Sequence, residues 1–111
     1  MRVGLAGIDA PVNSKTQKIP GKPYRQLAKE YLAELVLNKV VEIKGYGLDE
    51  NNDVSGVIFL KGKNINIEMI RAGMAKVSGE DPPQGLDLGP YRKAQNEAIK
   101  AERGIWSQVN R

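Results

Sequence analysis

The residues of this chain that could carry chemistry are carboxylates and lysines. Asp9 closes the apolar run Val3 to Ile8 and precedes Ala10-Pro11-Val12. A carboxylate at a strand-to-loop junction stands where a metal ligand or general base is commonly held. Its neighbours Gly4, Ala10 and Val12 carry neither charge nor exchangeable proton. Calcium takes six or more oxygens, so a lone Asp9 is a weak metal ligand. Its structural alternative is to bond its own backbone and cap the turn before Pro11. A second acidic stretch, DENNDVSG at 49–56, alternates Asp49, Asn51 and Asp53 in the manner of a calcium loop. The glycine such a loop requires is Val54 and its closing glutamate is Leu60, so the stretch reads as a hairpin turn. Lys15, Lys18 and Lys22, with Arg25, form a loose basic group that could touch phosphate. The only aromatic residue among them, Tyr24, belongs to an apolar helix face, so no base-stacking platform accompanies them. Any nucleic-acid binding there would be weak, sequence-blind and salt-sensitive.

The chain has no histidine and no cysteine. Imidazole bases, thiolate nucleophiles, disulfides and thiolate–zinc sites are therefore excluded. Acid–base work is left to Asp, Glu, Lys and Tyr, and any metal would be a hard cation on oxygen. Seventeen basic and 13 acidic residues leave a net charge of +4, a mild preference for anionic partners. At 111 residues, with 41% hydrophobic and 27% charged residues, the composition fits one globular domain, 1–111. No apolar run approaches the roughly 20 residues of a membrane span, so no membrane partner is expected. The chain opens on no secretory leader, and a leader removed upstream leaves the compartment open.

These groups need elements to hold them. Residues 2–8 read as a short strand weakened by Gly4 and Gly7. The segment 10–23 is a proline-bearing loop. Tyr24, Leu27, Ala28, Tyr31, Leu32, Leu35 and Val36 recur with helical spacing, giving an amphipathic helix that ends near Asn38. Val40, Val41 and Ile43 mark a strand closed by Gly45 and Gly47, and Val54 to Leu60 a second, β-branched strand. A tight turn at 61–64 leads into a short helix over 65–72 that stops at Gly73, followed by a brief extended segment, Met74 to Val77. After a loop at 79–90, Pro90 opens a last helix whose Tyr91, Ala94, Ala98 and Ala101 share a face and which stops at Gly104. Ile105 and Trp106 then fold back onto the core. The expected class is α+β: three amphipathic helices around few, short strands.

GIDAP after the first strand, the helix from Tyr24 to Leu37, GKNINIEMIRAGMAKV at 62–77 and AERGIWS at 101–107 stand in an order and spacing that resemble the staphylococcal nuclease family. The resemblance runs from about residue 3 to residue 107. It implies an OB-type five-stranded β-barrel with three helices. It also implies a calcium-dependent phosphodiesterase acting on DNA and RNA, with a site of two arginines, a glutamate and calcium-binding aspartates. In such a site a carboxylate orients water, and guanidinium forks neutralise charge developing on the phosphate.

Carried over position by position, that site is degenerate. Where the family pattern has an arginine five residues before the aspartate, this chain has Gly4; where the glutamate belongs, three residues after it, stands Val12. The second arginine, just ahead of the strand at 54–60, is replaced by Asp53, which reverses the charge. Asp9 matches one calcium ligand, but its usual threonine neighbour is Ala10. The base-stacking aromatics that should follow Lys76-Val77 are replaced by Ser78, Gly79, Glu80 and Asp81. The resemblance further places the family's first two barrel strands ahead of Arg2, so the domain is expected as a truncated barrel with exposed sheet edges and an apolar inner face. Something should cover that face: a homo-oligomer or a partner completing the barrel. The functional expectation is a catalytically silent interaction module, like silent copies in Tudor-containing relatives, with weak nucleic-acid affinity at most. No cofactor is expected, and calcium only if family activity persists. The alternative is a calcium-dependent nuclease completed by residues outside this chain or by a partner subunit.

Overall fold

The computed structural model describes residues 3–9, 24–48, 52, 54–79 and 81–108. Val12, Lys15, Lys18, Lys22 and Asp53 lie outside the described residues, as do the whole loop at 10–23 and all of 49–53 except Asn52. In chain order the elements are β1 (Val3–Leu5), β2 (Ile8–Asp9), α1 (Tyr24–Val36), β3 (Glu42–Leu48), β4 (Val54–Leu60), β5 (Lys63–Asn64), α2 (Ile65–Arg71), β6 (Lys76–Val77) and α3 (Gly89–Lys100), followed by a 3₁₀ turn at Gly104–Gln108. The class is α+β with three helices.

β4 is the hub of the main sheet. It pairs with β1 in parallel, with β3 antiparallel, and at its end with β5. A second, two-stranded ladder joins β2 to β6 antiparallel. The described strands do not close into a barrel. The single strand expected over residues 2–8 is two strands serving different ladders. They are separated by a turn at Ala6-Gly7, where Gly7 holds φ at +82°. A Cβ there would sit 2.9 Å from the Tyr91 ring, so both the left-handed backbone and the close approach of α3 require glycine.

Gly45 and Gly47 do not close β3, as the sequence suggests. The strand runs through them to Leu48, with a register shift against β4 between Gly45 and Leu48. The glycines absorb a bulge rather than a stop. The expected ends of α1 and α2 hold to within a residue or two, but α3 stops at Lys100, with Ala101 as its cap and Glu102 already left-handed (φ +53°), short of the expected stop at Gly104. Asn38 takes the left-handed conformation just past α1 (φ +61°), a role second only to glycine's for asparagine. Asn64 caps α2, its side chain accepting from Ile67 N at 3.0 Å.

The densest packing is among the helices. Ala28 of α1, Met69 and Ile70 of α2, and Tyr91 and Ala94 of α3 form one buried cluster with Ala75 and Leu88. Behind it, Gly73 and Gly104 interlock back to back. Gly73 O accepts from Ile105 N at 2.9 Å, and a Cβ on either glycine would enter the other segment's backbone. This contact turns the chain after α3 and leaves Trp106 half-buried, with its indole N–H inside and without a partner.

The sheet is less complete. Strand alternation puts Ile43, opposite Ile58, and Leu48, opposite Val54, on one face with Leu60 and Leu5. On this face Leu5, Val54, Ile58 and Leu60 are only half-buried, while Ile43 is 50% and Leu48 66% exposed. On the opposite face Val57 is fully buried. These six large apolar side chains therefore remain partly in water, two of them on the almost wholly exposed edge strand β3.

Candidate functional site

Asp9 lies in β2, half-buried, directly across the ladder from Lys76 of β6. The sequence separates these residues widely, and only the β2–β6 pairing brings them together. Directly opposite positions on antiparallel strands put the two side chains on the same face of the ladder. The pairing is one of backbone register: Lys76 is exposed, and no ion pair between the two side chains is seen among the described residues. Among the described residues, no three acidic side chains converge in a way that could hold a metal ion.

The strand before Asp9 is fixed by α2 and β4. Asn66, fully buried on α2, donates to Ala6 O at 3.0 Å and Gly56 O at 3.1 Å and accepts from Ile58 N at 3.2 Å. One side chain thus ties the β1–β2 turn and the centre of β4 to a helix. Below the same turn, the Tyr91 ring packs against Gly7. Its phenol accepts from Asn64 Nδ2 at 3.5 Å. Burial pushes the Tyr91 pKa upward, and the Asn64 hydrogen bond offsets part of that rise. On the far side of the ladder, Val77 N donates to Gln95 Oε1 of α3 at 2.8 Å, and Ser78 N donates to Gly7 O at 3.0 Å. The scaffold under Asp9 is therefore well built.

What the scaffold presents is another matter. Gly4 sits in β1 opposite Ser55 of β4, so the position where the family pattern has an arginine projects no side chain. Val12 and Asp53, the other two positions that the resemblance reads as replacements, lie outside the described residues together with Lys15, Lys18 and Lys22. Arg25 falls in the first turn of α1. Past β6, where stacking aromatics were expected, the chain offers half-buried Ser78, then Gly79 and exposed Asp81. The structure thus brings Gly4 and Asp9 into consecutive strands of one corner.

Three residues of this corner escape a sequence reading aimed at chemistry: Asn66, Gln95 and Lys76. Asn66 did leave a signal, since it is a lone amide between Ile65 and Ile67 on a short helix that also buries Met69 and Ile70. A polar side chain on such a face must find hydrogen bonds there.

The family pattern described as staphylococcal nuclease homologue matches residues 2–108. A protein named "Probable endonuclease LCL3" from Komagataella phaffii is 33% identical over 112 residues, covering 96% of this chain and 49% of that protein. Its namesake in Botryotinia fuckeliana is 33% identical over 115 residues, covering 96% of this chain and 43% of the relative. The chain spans about half the length, or less, of these relatives. With the family pattern matched along almost its whole length, and with three helices set around a sheet in the order its motifs imply, this chain belongs to the staphylococcal nuclease family.

Proposed function

We propose that this domain serves as an interaction module that keeps the nuclease scaffold without phosphodiesterase activity of its own. The observation that carries the reading is the set of replacements around Asp9: Gly4, Val12 and Asp53 stand where the family resemblance calls for arginine, glutamate and arginine. Cleaving a phosphodiester needs a group to orient water and cations to stabilise charge on the phosphate. Glycine and valine supply neither, and an aspartate repels the substrate. Asp9 stands opposite Lys76 in the β2–β6 ladder, and among the described residues no group of three acidic side chains gathers to make up a calcium shell. Residual affinity for nucleic acid rests on scattered lysines, Lys15, Lys18 and Lys22 among them, and on Arg25. It is weak and salt-sensitive. The half-open apolar face of the sheet is the surface through which such a module engages a partner, a second copy or another chain that completes the sheet.

A second reading is favoured by the relatives' printed name, "Probable endonuclease", over an alignment that takes in 96% of this chain. In that reading the domain is part of a calcium-dependent nuclease whose missing groups come from outside this chain or from a partner subunit. Fluorescence anisotropy with a labelled oligonucleotide addresses the first reading. Binding that is measurable at ~50 mM salt should collapse by ~200 mM. Affinity that survives the higher salt would contradict it, because it would require base-stacking or base-specific contacts. Digestion of single-stranded DNA with calcium separates the two readings.

A further inference from the structure

The main sheet ends in an edge whose hydrogen-bonding direction can be read from the strand beside it. Gly56 O accepts from Ala6 N at 2.8 Å, and Ile58 N donates to Asn66, so the backbone groups of Gly56 and Ile58 point away from β3. Antiparallel strands alternate between pairs that exchange hydrogen bonds and pairs that do not. Phe59 and Val57 therefore bond their partners Glu42 and Lys44, while Ile43 and Gly45 turn their N–H and C=O groups outward to an edge that carries no further strand among the described residues. Edges of this kind are commonly blunted by charge, and a lysine alone would repel its own copy. Here Glu42 precedes Lys44 by two residues on the same strand face. That spacing makes the edge complementary to itself.

We propose that β3 pairs antiparallel with β3 of a second copy, about a two-fold axis at Ile43. The outward groups allow a two-fold at an odd-numbered residue, as a hydrogen-bonded pair, or at an even-numbered one, as a non-hydrogen-bonded pair, but centring on Glu42 or Lys44 would set like charges directly opposite each other. Of Val41, Ile43 and Gly45, only Ile43 sets Glu42 opposite Lys44 of the second copy, and Lys44 opposite its Glu42. The two charge pairs flank an Ile43–Ile43 contact. On the half-open face this creates a row of four isoleucines, Ile58–Ile43 of one copy continuing into Ile43–Ile58 of the other. The same register places Tyr46 opposite Val40 of the second copy. It gives a neighbour to a side chain that is 92% exposed in the single chain. Val41 and Gly45 exchange the outer hydrogen bonds. The pairing joins two open sheets into one and brings their apolar faces side by side. It deepens the interaction-module reading and rests on that reading only for its purpose. DNA cleavage would leave the association intact, and a monomer would leave the digestion result intact.

Sedimentation velocity on the whole protein, from ~1 to ~100 µM, tests it. A dimer is expected. Lys44→Glu sets four carboxylates across the two-fold and should weaken association by about tenfold or more. Adding Glu42→Lys to Lys44→Glu restores complementarity and should restore the dimer. Ile43→Pro removes an outward N–H without touching the bonds to β4, so the dimer should be lost while the circular dichroism spectrum is kept. The chain has no cysteine, so Ile43→Cys is a clean register probe: paired residues ~5.5 Å apart are within disulfide reach, and mild oxidation should cross-link two copies. A monomer across the whole range overturns the proposal. So does a dimer that is indifferent to both Lys44→Glu and Ile43→Pro, because its interface would lie elsewhere.

Discussion

Replacing Asn66 by alanine should cost this domain a large part of its stability. The side chain is fully buried and makes three hydrogen bonds, to Ala6 O, Gly56 O and Ile58 N. Gly56 O keeps a second donor, Ala6 N, and is not orphaned. Ala6 O and Ile58 N lose the partner that Asn66 supplies. At about 1–2 kcal/mol for each buried group left unpaired, with a small cavity added, Asn66→Ala should destabilise by about 2–4 kcal/mol. Against a typical total of about 5–15 kcal/mol this is severe. At roughly 4 °C per kcal/mol for a domain of this size, thermal unfolding followed by circular dichroism should shift down by about 8–16 °C. Asn66→Asp sharpens the test. It keeps an acceptor for Ile58 N but turns a carboxylate toward two carbonyl oxygens, so the folded-state pKa of the new group is raised. Its stability deficit should therefore be smallest below about pH 4 and grow as pH rises. A shift of less than ~3 °C for Asn66→Ala would refute the reasoning, since the three strands and helix would then hold without this tie.

Other outcomes follow from the same geometry. Gly73→Ala combines a left-handed backbone (φ +76°) with a clash against Arg103 O, and should destabilise by about 2–4 kcal/mol in urea titration; an effect below ~1 kcal/mol would mean the Gly73–Gly104 contact yields easily. Asn38→Gly, at the exposed end of α1, should by contrast be neutral or slightly stabilising in the same titration. Because the Tyr91 pKa is raised in the folded state, its contribution is fully present below about pH 10 and is lost as pH climbs through the raised value. Tyr91→Phe should flatten that alkaline loss, and an unchanged profile of stability against pH would contradict it. Thermal midpoints of the wild type and Asp9→Asn should move by less than ~1 °C when ~10 mM calcium is added, because a site that does not bind cannot stabilise by mass action. A calcium-dependent rise in the wild type alone would restore Asp9 as a ligand.

Much of this molecule is legible in its sequence. The helices are so because their apolar residues recur at 3.6-residue spacing and their ends carry Asn38, Asn64, Gly73 and Pro90. The strands are less so. Glycine reads as a strand stop, but at Gly45 and Gly47 a bulge lets β3 continue, and no local signal separates the two cases. The division of residues 3–9 between two ladders likewise depends on partners far along the chain. At the site, Gly4, Val12 and Asp53 are legible as residue types, and their reading as replacements rests on the family resemblance. The pairing of Asp9 with Lys76 is tertiary and could not be seen. An open apolar sheet face is expected from the family resemblance, but which side chains line it is tertiary: Ile43 reads as an ordinary strand residue and Leu48 falls beyond the expected strand end. Only the fold leaves both in water.

The central claim is that the scaffold persists without its chemistry. A single-turnover digestion tests it most directly: end-labelled single-stranded DNA with the whole protein in excess, ~10 mM calcium in one arm and chelator in the other, resolved on a sequencing gel after hours. The account predicts full-length DNA in both arms. Calcium-dependent cleavage that follows the protein through a further purification step would contradict it.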